Sequence, residues 1–398
     1  MGNGKSKARD RDRVISLSDE KAFIENFKKA TEGKDTITRE QFTKTYTVLG
    51  EFGQTFYCRL FKEEPKDLVN VKTMIKYITK GLSSYDQLAE AIIFCFGDCK
   101  EQIMRNTVKI FCEANEFSRE DQVRMYEYFN AINKWPMEEF FYFFSACPLY
   151  PYIASYIFQR LLGKPGESKM PIMSTESSIF GNVDILILNS HVPFDRRKTW
   201  TLLYSNSKMG NSFSQMVKRI NGEGPCIVVI HSTRGRKFGL YASRGFIAGP
   251  QYWGSDECFL FQLIPRIAVY HATGRAGDYA YLNYQQQQLP NGLGLSGSGD
   301  VWPLFIREEF TSGTCQKNSR FYEPCFVAEE EEFHIKTIEI WRPGDKPQKS
   351  FEELMDSEIR TEKSIIDKDP EARAVLEMAG KPMHSDIYRD PAPLLDKE

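Results

Sequence analysis

The chain has 398 residues, 52 basic against 54 acidic side chains for a formal net charge of −2, and 41% hydrophobic residues. That length accommodates two or three domains with sizeable cores, and the near balance of charge gives no electrostatic ground for a nucleic-acid partner. Nine cysteines without CxxC spacing, and a start without an apolar stretch, speak against a disulfide scaffold and a secretory leader and for reduced thiols in the cytosol.

Residues 1–13, MGNGKSKARDRDR, place Gly2 and Ser6 in the pattern Met-Gly-x-x-x-Ser, which reads as an N-myristoylation site once Met1 is removed. Only glycine leaves an α-amine unhindered enough for the acyl chain. One myristoyl group holds a bilayer weakly, with an association constant on the order of 10⁴ M⁻¹, so a second signal is needed. Lys5, Lys7, Arg9, Arg11 and Arg13 supply it against Asp10 and Asp12, at about 1 kcal/mol for each basic residue beside an anionic leaflet. The arm is therefore expected to bind an anionic membrane surface reversibly.

Residues 14–163 read as an all-helical domain. In SLSDEKAFIENFKKA, Ser16 or Ser18 is a candidate N-cap, and Phe23, Ile24 and Phe27 share one face. KDTITREQF resembles the exit of an EF-hand, with Ile37 in the loop and Thr38 capping the next helix. With Ile37 at loop position eight, the first, fifth and twelfth positions are Ala30, Lys34 and Gln41, a poor set for calcium, which needs carboxylate oxygens and a bidentate Glu at the end. Further helices are expected in NVKTMIKYIT, SSYDQLAEAIIFCF, EQIMRNTVKIF and SREDQVRMYEYFNAI. From Phe140 to Phe158 no residue is charged, which approaches membrane-spanning length. Pro148 and Pro151 interrupt the run, so two buried helices meeting at a proline corner are expected instead.

Residues 164–174 begin a Gly/Pro/Ser-rich stretch that reads as a linker. Over residues 175–343 the texture changes to short β-branched and aromatic runs: WTLLY, PCIVVIH, KFGLYAS, CFLFQLIP, RIAVYHA, YAYLNY, VWPLFI and FHIKTIEIW. One helix interrupts them, with Phe213, Met216, Val217 and Ile220 on one face; Ser212 is a candidate cap, but entry through SKMGNS is expected. Antiparallel sheets packed as a sandwich fit this order. In the last run the apolar phase shifts between Ile335 and Ile338, which predicts a bulge near Thr337 or a strand buried on both faces, with Glu339 turned inward. Residues 344–398 read as a helical tail in which Ser350 and Glu353 form a capping box and Phe351, Leu354 and Met355 are apolar anchors, packing on the chain itself or in a partner's groove.

A search for chemistry finds little. GLGLSGSG satisfies G-x-G-x-x-G, but it follows Pro-Asn and precedes a strand, so no helix N-terminus awaits a pyrophosphate, and the glycines read as a loop or a close backbone approach. Gly210, Gly239 and Gly254 are expected at turns. His191, His231, His271, His334 and His384 each stand alone in sequence, with no zinc-binding spacing, so neither a metal nor another cofactor is expected. A nucleophile pair of Cys258 or Ser255 with His231 or His271 is conceivable, but nothing visible activates it. Ser207, Ser212 and Glu257 read as a buried polar network. Arg234, Arg236, Lys237 and Arg244 supply four cations near a turn, as a solvated hairpin or as a contact for an acidic or membrane partner.

LLYSNSKMGNSFSQMVKRI, RKFGLYASRGF, YWGSDECFLFQL, YHATGRAGDYAYLN, PNGLGLSG and IEIW together resemble the TLDc family over residues 175–343. The resemblance implies a β-sandwich with flanking helices. With the Met-Gly start and EF-hand-like helices, the chain is similar to the myristoylated, mTOR-associated branch. That branch implies work on the cytosolic face of the lysosomal membrane in nutrient and growth signalling, with mTOR-pathway components as partners. The wider family implies V-ATPase binding and protection against oxidative stress. The expected fold is thus α+β: an EF-hand-like helical domain, a TLDc antiparallel sandwich and a helical tail, acting as a non-catalytic membrane-anchored adaptor. An oxidative-stress protein with a TLDc enzymatic activity is the alternative.

Overall fold

The computed structural model describes residues 14–64, 68–97, 99–136, 139–166, 169–296, 301–317 and 319–347. Gly2, Ser6, the basic arm from Lys5 to Arg13, and Phe351, Leu354 and Met355 of the tail lie outside the described residues.

Helix α1 (Leu17–Ala30) is capped by the Ser16 hydroxyl, which accepts from the Asp19 amide, and it buries Phe23 and Phe27. Strand β1 (Thr36–Ile37) leads into α2 (Arg39–Thr45), where Thr38 and Gln41 form a capping box. A 3-10 turn (Thr47–Phe52) and α3 (Gly53–Phe61) follow, then β2 (Val69–Asn70) and α4 (Val71–Gly81). β1 and β2 pair antiparallel, Ile37 opposite Val69. The region therefore contains two EF-hand-like helix–loop–helix units back to back, the second of which reads in sequence only as the helix NVKTMIKYIT. Counting Val69 as position eight puts Thr73 at the twelfth place, so where a calcium loop needs its closing carboxylate one unit has the Gln41 amide and the other the Thr73 hydroxyl.

α5 (Tyr85–Phe96), α6 (Lys100–Ala114) and α7 (Arg119–Ile132) form where the apolar periodicity predicts, α7 behind a Ser118–Asp121 capping box. α8 (Phe140–Ala146) and α9 (Leu149–Leu161) are the two helices of the uncharged run, turning at Cys147–Pro148; α9 is largely buried, whereas α8 buries Phe140, Phe143 and Phe144 and exposes Tyr142. Among the described residues no helix is long and apolar enough to cross a membrane.

The stretch read as a linker ends in strand: β3 (Ile172–Met173) pairs parallel to β4. α10 (Asn182–His191), which the apolar pattern does not reveal, precedes β4 (Thr199–Ser205). α11 (Asn206–Met209) stops at Gly210, and α12 (Phe213–Ile220) is capped by Ser212, not entered through SKMGNS. Next come β5 (Cys226–Ser232), β6 (Lys237–Ala242), β7 (Phe259–Ile264), β8 (Ala268–His271), β9 (Ala280–Asn283), β10 (Gly292–Leu295), β11 (Leu304–Arg307), β12 (Ser312–Thr314) and β13 (Glu332–Pro343).

Two sheets share one strand. The C-terminal part of β13 sits between β4 and β5 in the order β3-β4-β13-β5-β6-β7-β8, while its first residues pair with β12 in the order β13-β12-β11-β10-β9. Apart from β3–β4, every pairing in them is antiparallel. The passage between sheets requires an irregularity. Register shifts between Ile335 and Thr337, where the apolar phase changes in the sequence. Asn206 repairs the break: its Oδ1 accepts from the Ile338 amide at 3.0 Å, and its Nδ2 donates to the Lys336 carbonyl at 3.4 Å.

Both faces of the first sheet are covered, which explains the unbroken apolar runs of β5 and β7. Val228, Ile230, Leu240 and Leu260 face Leu282, Leu293, Leu304 and Ile306 inside the sandwich. Ile227, Val229, Phe259, Phe261 and Trp341 face outward and join Val183, Ile187 and the N-terminal helices in one continuous core. Gly239 lies in mid-strand, not at a turn: opposite Val229, a Cβ there would come within 2.0 Å of the Val228 carbonyl oxygen. Gly210 and Gly254 do occupy left-handed positions, with φ of 82° and 105°. Gly292 and Gly294 lie in β10, not in a loop, and the expected close backbone approach is what requires glycine there, since Cβ atoms would strike the carbonyls of Ile306 and Leu304.

Candidate functional site at the seam of helices and sheet

The four cations of the hairpin region do not converge. Arg234, Arg236 and Lys237 lie at the β5–β6 turn, whereas Arg244 follows the far end of β6, roughly 20 Å away by strand rise. Those at the turn are already engaged within the chain. Arg234 Nη1 lies 2.9 Å from Glu330, Arg236 Nη2 lies 2.9 Å from Glu329, and Lys237 Nζ donates to the Ile179 carbonyl at 2.6 Å. Arg244 is exposed.

Glu339 turns inward as its apolar neighbours predict. It is fully buried and accepts from the Ser177 hydroxyl (2.5 Å), the Ser178 hydroxyl (2.7 Å) and amide (2.8 Å), and Trp341 Nε1 (3.0 Å). These neutral donors replace the carboxylate's lost water. The contact straps the segment before α10 onto β13. Ser207 and Glu257 are exposed, so with Ser212 serving as a cap the three do not form the buried network expected of them.

The seam between helices and sandwich holds the least expected arrangement. α7 presents Arg124 and Tyr128, one turn apart on the same face. Arg124 Nη2 lies 2.6 Å from Asp184 Oδ1 and 3.2 Å from the Leu263 carbonyl, and the almost fully buried Asp184 also accepts from the Gly181 amide at 2.8 Å. Tyr128 Oη lies 2.7 Å from His191 Nε2, and His191 Nδ1 lies 3.1 Å from His271 Nε2. Two histidines that stand alone in sequence are thus a pair in space. Burial, then the nearby His271 and Arg197, lowers the His191 pKa to about 3. Burial also lowers that of His271, with Glu323 opposing. His191 is therefore neutral at pH 7, fit to relay a hydrogen bond and not to carry charge.

The conceivable nucleophiles do not meet a base. Cys258 Sγ lies 3.4 Å from the Ser243 hydroxyl, which lies 2.9 Å from the Ser255 hydroxyl, while His271 bonds to His191. Burial raises the Cys258 thiol pKa and pushes those of Cys112, Cys147, Cys226 and Cys325 up to about 12. An activated thiol is shifted the other way. Among the described residues no group of three or more His, Cys, Asp or Glu comes together as a metal site.

Arg124 escapes notice in sequence because it reads as a solvated charge on an amphipathic helix, and Tyr128 because it reads as one more member of that helix's buried face with Met125 and Phe129. Asp184 carried a readable signal, an acid three residues after Gly181 at a helix start.

A sandwich built on one shared, kinked strand and flanked by helices defines the class. Residues 173–344, somewhat under half of the chain, match the model of the TLDc domain. It is 38% identical over 216 residues to MTOR-associated protein MEAK7 of Gallus gallus, covering 54% of this chain and 45% of that one. The Homo sapiens protein of the same name is 34% identical over 215 residues, covering 54% and 46%. Oxidation resistance protein 1 of Xenopus tropicalis is 28% identical over 180 residues, covering 44% of this chain and 20% of its own. The chain spans about half the length of the MEAK7 relatives it matches. These relatives are named for an association or a resistance and not for a reaction.

Proposed function

We propose that this chain is a non-catalytic signalling adaptor of the mTOR-associated kind. Myristate on Gly2 and the arm from Lys5 to Arg13 hold it to the cytosolic face of the lysosomal membrane, where it meets mTOR-pathway components and V-ATPase in nutrient and growth signalling. The observation that carries this reading is the 34–38% identity to MTOR-associated proteins. The geometry supports a binding role: the seam holds His191 neutral and its carboxylates satisfied, an arrangement suited to rigidity. The mechanism is effective concentration, since anchoring a modest binder beside its target raises occupancy without new contacts.

The test is the full chain with and without Gly2→Ala, followed by membrane fractionation, capture of mTOR-pathway proteins and phosphorylation of a TOR substrate. The variant is expected to become diffuse and to signal less. Membrane association and signalling unchanged by the substitution would refute the anchor.

The similarity to Oxidation resistance protein 1 favours a second reading, protection against oxidative stress through a TLDc-borne activity. Mapping thiol reactivity across the nine cysteines separates the two. One fast-reacting cysteine whose loss abolishes protection supports the second, and uniformly slow thiols support the first.

A further inference from the structure

Large apolar side chains that project into solvent are uncommon enough to be informative when two of them stand together. Phe194 is 79% exposed and Ile172 is 74% exposed, whereas no other large hydrophobic among the described residues exceeds 49%. Neither is a loose end. Phe194 opens a 3-10 turn, Phe194–Arg196, closed by the Arg196 amide on the Pro193 carbonyl at 2.9 Å, and Ile172 sits in β3 with its amide on the Lys198 carbonyl at 2.9 Å. Asn189 binds the two segments side by side, its Nδ2 lying 2.9 Å from the Lys169 carbonyl and 3.0 Å from the Arg197 carbonyl. The fold thus fixes two apolar tips on neighbouring segments.

Their surroundings are basic. Arg196, Arg197 and Lys198 follow Phe194 directly, against Asp195, and Lys169 lies on the adjoining segment. Three of these cations are engaged within the chain: Arg197 donates to the carbonyls of Val192 and Ser190, Arg196 donates to that of Asp345 and pairs with Asp195 at 3.1 Å, and the Lys169 ammonium lies 4.1 Å over the Tyr152 ring. Lys198 is exposed.

We propose that the Phe194–Ile172 tip is a membrane-contact site that inserts both side chains among the headgroups of an anionic phospholipid bilayer while the exposed Lys198 beside it meets a lipid phosphate. A protein partner would need a broad complementary surface, on the order of 800 Å² per side, built around a buried anchor. A bilayer needs only protruding apolar groups with positive charge at their base, which is the chemistry present. The site gives the molecule a second point of attachment beside the arm, and so fixes which face of the sandwich lies on the membrane. It rests on the proposed membrane setting but not on acylation.

Purified full chain carrying Gly2→Ala is sedimented with vesicles of phosphatidylcholine alone or with about one-third phosphatidylserine, so that the acyl chain plays no part. Phe194→Ser/Ile172→Ser is compared with Val123→Ser/Tyr142→Ser, which removes exposed apolar groups elsewhere, each checked for an unchanged thermal midpoint. Phosphatidylserine-dependent binding is expected, weakened about tenfold or more by the first pair and little by the second. Binding that the first pair leaves intact assigns the affinity to the basic arm and overturns the proposal. Absence of binding to either vesicle does the same and leaves the tip to a protein partner. None of these outcomes bears on whether Gly2 is acylated, which the intact mass of the cellular protein decides separately.

Discussion

His191 Nδ1 lies 3.1 Å from His271 Nε2, with the Tyr128 hydroxyl 2.7 Å from the other nitrogen of His191. The three side chains come from α7, the end of α10 and the end of β8, so a row of hydrogen bonds crosses from the helices to the sandwich. A bond between two imidazoles needs one N–H and one bare nitrogen. Protonating both rings sets donor against donor.

The seam is therefore acid-sensitive. In the unfolded chain each ring titrates near 6.5, whereas folding lowers His191 to about 3 and lowers His271 as well. The stability that comes from holding them neutral is complete above pH 6.5 and is lost as pH falls toward the folded values. For His191 the loss between pH 7 and pH 5 is about 2 kcal/mol. Urea denaturation at the two pH values measures it. His191→Gln should show a flatter dependence, and equal acid sensitivity in both proteins would rule the pair out as its source.

Arg124→Ala removes the charge that faces Asp184, a carboxylate that is 1% exposed. Leaving a buried charge with one amide donor costs about 3 kcal/mol or more. Replacing both partners with Met and Leu should recover much of the loss, because the penalty belongs to the unpaired carboxylate. Chemical denaturation of the single and double variants makes the comparison, and additive losses would contradict it.

Asn206→Ala strips the kink of β13 of partners for the Ile338 amide and the Lys336 carbonyl. The expected cost is about 1–3 kcal/mol. Hydrogen exchange should quicken at Ile338 before it does in β5 or β6. Uniform acceleration through the sandwich would mean that Asn206 acts globally and not as a local brace.

Gly239→Ala drives a methyl group against the Val228 carbonyl in mid-sheet. Overpacking of this kind costs about 1–3 kcal/mol, and here the obstructing atom is backbone. A reduced melting temperature and poorer soluble yield are expected. Gly249→Ala is the control, because a Cβ there meets nothing within 4 Å. Equal behaviour of the two variants would count against the close approach.

Much of this was legible beforehand, for identifiable reasons. The helices with one apolar face, such as α1, α6 and α7, carry their periodicity openly, and the runs that form β4 to β8 show as short β-branched and aromatic stretches between turns. The kink in β13 was written in the change of phase between Ile335 and Ile338. α10 was not legible, because NVDILILNSH is buried on every side and shows no stripe. β10 was hidden by glycines that serve strand packing. The histidine pair joins residues 80 positions apart, which spacing alone cannot reveal. Arg234 and Arg236 looked free because the acidic run that neutralises them lies nearly a hundred residues downstream.

The outer wall of the first sheet has a consequence for anyone dissecting the molecule. Ile227, Val229, Phe259, Phe261 and Trp341 are dry within one core that α10 and the N-terminal helices complete together. Cutting the chain at the start of the sandwich would not liberate a tidy module but strip it of its lid, turning a sealed interior into a sticky exterior. A fragment's behaviour would then report on that wound as much as on the intact protein.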